Sequence, residues 1–133
     1  MAIRYILAQF NEKRTKIVLS PKELKVRHGD QVVWISRLDE GETYVASDFV
    51  GNGQLFKDDS YTMPGIGESD RADVIADPSV SEAWTYTCSE ELSINDVSDG
   101  DSGQGIIIVD PPPIDDDKDQ KSGGREKIPV AVR

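Results

Sequence analysis

Cys88 is the one cysteine in the sequence, and its surroundings pose the first chemical question. It ends an aromatic and β-branched run, Trp84-Thr85-Tyr86-Thr87-Cys88, and Ser89, Glu90 and Glu91 follow at once. A thiol acts as a nucleophile or metal ligand through its thiolate, which a nearby cation or a helix N-terminus must stabilise. The sequence neighbours of Cys88 are acids, which favour the neutral thiol. The residue therefore reads as a small buried apolar side chain. A single cysteine also excludes an intramolecular disulfide.

The carboxylates are the second chemical set. Asp39, Glu40 and Glu42 follow one apolar run, and Glu90, Glu91, Asp96, Asp99 and Asp101 follow another. Crowded carboxylates raise one another's pKa unless water or a cation faces them. A hard cation such as calcium takes about six to eight oxygens, several of which Asp96, Asp99 and Asp101 could supply. The stretch NDVSDGDSG does not follow the EF-hand pattern, however. Zinc held by Cys88, Glu42 and Glu91 would lack the histidine that such sites normally use. The one histidine, His28, lies in an Arg-His-Gly-Asp turn. Ser79, Ser81, Ser89 and Ser93 have no histidine base within reach, which excludes a Ser-His-Asp apparatus. Glycines 51, 53, 65 and 67 do not form a phosphate-binding loop. Glu42 and Glu91 lack the aromatic-lined cleft of a glycosidase. No enzyme and no cofactor is expected.

Charge is divided along the chain. Residues 1–37 carry +5 and residues 38–109 carry −14, within a total of −10 over 133 residues. That division argues against a nucleic-acid-binding domain and favours a partner or ion of positive charge near the acidic segments. No apolar run reaches the roughly 18 residues of a membrane span. The first residues, MAIRYILAQF, read as a strand and not as a secretion signal, which places the chain in the cytoplasm unless a leader has been removed.

The elements that must position these side chains are strands. Runs 2–10, 16–36, 43–49, 71–77, 83–88 and 105–110 are rich in β-branched and aromatic residues without helical periodicity. The first alternates only in part, as a strand buried on both faces would. Pro21 kinks the second run, and a tight turn at His28-Gly29-Asp30 precedes QVVWI. The glycine-rich stretch 50–70 reads as loop, with one short strand or helical turn around 54–61. Seven or eight short strands separated by turns predict an antiparallel two-sheet sandwich over residues 1–110. Residues 111–133, with three prolines, an acidic run and Gly123-Gly124, read as a C-terminal extension, and IPVAVR at its end could pair with a sheet edge or stay loose.

IVLSPKELKVRHGDQVVW, WTYTC and Gly105 followed by IIIV, in that order, resemble the second and third strands, the thiolate strand and the final strand of the cupredoxins, the plastocyanin-like copper proteins. The resemblance implies a Greek-key β-sandwich whose copper lies between loops at one end, held by two histidines, a cysteine and often a methionine. Carried over by spacing, the histidine positions fall on Glu42 and Glu91 and the methionine position on Gly103. Cys88 alone keeps its type. The resemblance thus implies a member without its copper ligands. The function expected is a copper-free interaction module, with Asp39, Glu40, Glu42, Glu90, Glu91, Asp96, Asp99 and Asp101 facing a basic protein. The alternative is a metal-binding protein, taking calcium or another divalent cation at the acidic loops, or copper with ligands from a partner.

Overall fold

A computed structural model describes residues 2–91 and 102–112. All regular elements among them are strands: β1 (Ile3–Phe10), β2 (Ile17–Ser20), β3 (Glu23–Arg27), β4 (Gln31–Arg37), β5 (Thr43–Val50), β6 (Tyr61–Pro64), β7 (Ile66–Glu68), β8 (Ala72–Asp73), β9 (Glu82–Glu90) and β10 (Ser102–Asp110). They form two five-stranded sheets. One runs β2-β1-β4-β7 with β8 also on β4, and the other runs β3-β10-β9-β5-β6. The chain passes between the sheets at β2–β3, β3–β4, β4–β5, β6–β7 and β8–β9, so each sheet is assembled from distant segments.

The expectation of an all-antiparallel sandwich needs correction. β1 pairs with β4 in parallel, from Ile3↔Gln31 to Gln9↔Arg37, and β10 pairs with β3 in parallel, from Ile106↔Glu23 to Asp110↔Arg27. Parallel neighbours need crossover connections, which the passages between sheets supply. The stretch expected to be loop contains β6 and β7, pinned against β5 and β4. Conversely, the run 71–77 gives only two residues of strand and an isolated bridge between Phe56 and Val74.

The two inner faces bury one apolar core. Trp34 and Trp84 are both in it, as their strand settings imply. Trp34 meets Phe56 and Tyr86 edge to face, at ring separations of 5.9 and 5.6 Å, and its indole N–H donates to the Tyr86 hydroxyl at 3.1 Å. Such pairs favour one arrangement of the core beyond the area they bury. β1 is covered on one face only: Ile6 and Ala8 are inside, whereas Ile3 and Tyr5 are exposed. Its reading as a strand buried on both faces is thus corrected. The extension beyond residue 112, IPVAVR included, lies outside the described residues.

Candidate functional site

Cys88 belongs to the inward row of β9, which alternates Trp84, Tyr86, Cys88 toward the core. Its cross-strand neighbours are Gly103 on β10 and Ala46 on β5. Two small partners leave room for the sulfur, and the residue is fully buried. Burial alone pushes the thiol up to about 12. The adjacent acids are not the cause, contrary to what their sequence proximity suggests. A thiol so placed stays protonated at neutral pH and is a poor nucleophile.

Gly103 is constrained from its other side. A Cβ there would run into the carbonyl of Ile17, where β2 crosses over β10. No ligand side chain fits at this position without moving one sheet against the other.

Glu42 and Glu91 stand one step beyond the paired ends of β5 and β9. Tyr44 is opposite Glu90, and the Glu91 N–H donates to the Thr43 carbonyl at 2.8 Å. Both glutamates are exposed, and Glu90 is half-buried. The register does not bring Glu42 beside Cys88. Glu42 lies four residues beyond Ala46, the partner of Cys88, or about 13 Å along the strand at ~3.3 Å per residue. The four positions singled out by the resemblance therefore divide into a thiol and its partner Gly103 inside the sandwich and two carboxylates, Glu42 and Glu91, at its rim. Among the described residues, no three His, Cys, Asp or Glu side chains are grouped to hold a metal ion.

The rim loop 38–42 is tied down by Gly65, a residue the sequence offered only as one of several glycines. Its carbonyl accepts from the Leu38 N–H at 2.6 Å, and its N–H donates to the Glu42 carbonyl at 2.8 Å. A Cβ at Gly65 would fall on the Asp39 carbonyl, so the close approach needs glycine. The Asp39 N–H also donates to the Tyr44 hydroxyl at 3.4 Å. Burial, first of all, raises the pKa of that phenol. Asp39 and Glu40 are exposed on this loop.

Arg14 was not legible as part of this end. It sits in the β1–β2 turn with φ 55°, where Asn11 Oδ1 accepts from the N–H groups of Thr15 and Lys16 at 2.8 and 3.3 Å. Its guanidinium lies 4.5 Å from the Phe10 ring centre and forms an ion pair with Asp39. Asp39 thus already has a cation from its own chain. His28 is at the other end, its Nδ1 3.1 Å from the Ile75 carbonyl oxygen. Asp96, Asp99 and Asp101 lie outside the described residues.

No protein-family model matches this chain, and no curated protein matches it. Solved structures do. A proline-to-glycine mutant of amicyanin in its reduced Cu(I) form at pH 4 is 17% identical over 80% of this chain and 82% of that one, with a TM-score of 0.45. The cysteine protease inhibitor EhICP2 from Entamoeba histolytica is 14% identical over 84% of this chain and 97% of that one, also at 0.45. An oxidized methionine-to-leucine mutant of amicyanin is 17% identical over 79% and 81%, at 0.43. These are likenesses of outline. The architecture stated above rests on strand order and register.

Proposed function

We propose that this chain is a cupredoxin-like interaction module without copper, which docks a basic protein surface on its carboxylate rim and carries out no reaction. One observation supports this most: the thiol is enclosed between Gly103 and Ala46, while Glu40, Glu42 and Glu91 stand exposed on backbone held by Gly65 and Thr43. Carboxylates on a fixed frame attract a cationic surface without being reordered, and such charge complementarity acts chiefly on encounter rate and choice of partner. The −14 of residues 38–109 extends that field beyond the rim.

The test compares immobilised wild-type chain with two triple variants, Glu40→Lys/Glu42→Lys/Glu91→Lys and Asp58→Lys/Asp59→Lys/Asp77→Lys. All six positions are exposed, so both variants should fold, and both change net charge equally. Basic proteins retained at low salt by the wild type and by the second variant, and lost by the first, support the rim. Equal loss from both variants reduces the effect to net charge and removes the site. Adding copper(II) to the folded chain should give no intense thiolate-to-copper absorption, and its appearance would contradict the copper-free reading.

A further inference from the structure

The outward face of the first sheet is apolar where water should favour polar side chains. Because Ile6, Ala8, Val32 and Trp34 point into the core, alternation turns their neighbours Ile3, Tyr5, Leu7, Val33 and Ile35 outward. The parallel register sets Tyr5 beside Val33 and Leu7 beside Ile35; Val33, at the centre, is covered by its neighbours, Leu7 and Ile35 are half-buried, and the exposed apolar groups stand around them. Tyr5 is 51% exposed, and Ile66 of β7, at one corner, is 60% exposed. Exposed Ile3, Tyr5 and Ile66 around a half-buried apolar centre, on an otherwise acidic chain, make this face a candidate contact surface.

We propose that a second copy of this chain covers it, in a twofold dimer packed sheet to sheet. The rim charges select this occupant. Arg37 lies across from Ile66 and Glu68 across from Ile35, while Arg71 and Asp73 both hydrogen-bond to Gln31, at 3.4 and 2.8 Å. Two cations and two anions border the patch on that side, and Gln9 and Ser20 border it on the other. Such a rim has no field to attract a strongly charged partner, but a twofold axis can bring its cations to its own anions. The carboxylate rim, with one sign of charge, cannot pair with itself in this way. At ~4.8 Å between strands and ~3.4 Å per residue, the seven paired residues of β1 and of β4, the four of β2 and the three of β7 give a footprint of about 340 Å² on each copy. Stable complexes bury about 800 Å² per partner. The dimer is therefore weak and reversible, and it leaves the carboxylate end free.

Sedimentation equilibrium of the full chain across concentration tests this. The expected result is a reversible monomer–dimer equilibrium. Tyr5→Lys/Ile66→Lys, at exposed positions, should raise the dissociation constant at least about tenfold with circular dichroism unchanged. Val80→Lys, 62% exposed and off this face, should leave it unaltered. Arg37→Glu should weaken the dimer, and adding Glu68→Arg should restore it. A monomer at every concentration, or a dimer indifferent to Tyr5→Lys/Ile66→Lys, overturns the proposal. A monomer whose Tyr5 resists nitration has an internal cover, which overturns it equally.

Discussion

Gly103 faces Cys88 directly across the β9–β10 pair, with Ala46 on the other flank, so the sulfur occupies a gap made by two residues with almost no side chain. What sequence spacing suggests as the edge of a metal site is an interior packing position.

The enclosed thiol predicts how stability changes in alkali. Cys88 has a folded pKa of about 12 against 9.0 for an unhindered thiol, and the phenols of Tyr44, Tyr61 and Tyr86 are also raised, each mainly by burial. An acid whose pKa is raised by folding binds more protons in the folded state, so its contribution is complete below the unfolded pKa and is lost as pH rises through the folded one. Thermal unfolding should be insensitive to Cys88 below pH 9.0 and should fall steadily from there to about 12. Cys88→Ala should remove the part of that slope beginning near pH 9.0 while leaving the tyrosine part. Thiol labelling of the native chain at neutral pH should be far slower than that of a free thiol.

Gly65→Ala should be among the costlier single-methyl additions. The new carbon meets the Asp39 carbonyl, with Leu38 and Glu42 fixed on either side. Overpacking of this kind costs about 1–3 kcal/mol. Gly41→Ala is the control on the same loop. There the space is open and only φ of +91° opposes the change, for about 1 kcal/mol. Urea denaturation of both variants, read as the difference in midpoint at constant slope, checks the order. If Gly65 anchors the rim, its variant should also retain basic partners less well.

Arg14→Gly separates charge from backbone. Glycine accepts the positive φ of this turn, so folding should be nearly unaffected, and an exposed ion pair contributes only about 0–1 kcal/mol. Asp39 then loses its internal cation. Association with a lysine-rich peptide should quicken at low salt, and the difference from wild type should vanish as salt screens both. An unchanged on-rate at low salt would place Asp39 outside the contact.

Much of the fold was legible because QVVWI, AWTYTC and GIIIVD combine β-branched and aromatic residues with turn residues on both sides. The short β6 and β7 were not. Pro64, Gly65 and Gly67 look like loop, and their strand character comes from pairing with β5 and β4. The direction of pairing was also hidden, since parallel and antiparallel neighbours can have the same local composition. The run 71–77 has strand propensity, but only Ala72 and Asp73 find a partner on β4. At the rim, only the family resemblance put Glu42 and Glu91 together; nothing in their local sequence did. The ion pair of Arg14 with Asp39 was hidden, because those residues lie 25 positions apart and meet only through the fold.

The central claim is that cationic protein surfaces meet this chain at its carboxylate rim, and amide chemical shifts measured during titration with a lysine-rich peptide test it most directly. The account predicts shifts concentrated at residues 39–43, 90 and 91, abolished by high salt, with the amides of Cys88 and its strand neighbours toward Trp84 unmoved. Shifts spread evenly over Asp58, Asp59, Asp77 and the other acids, or centred on the outer face of the first sheet, would contradict it.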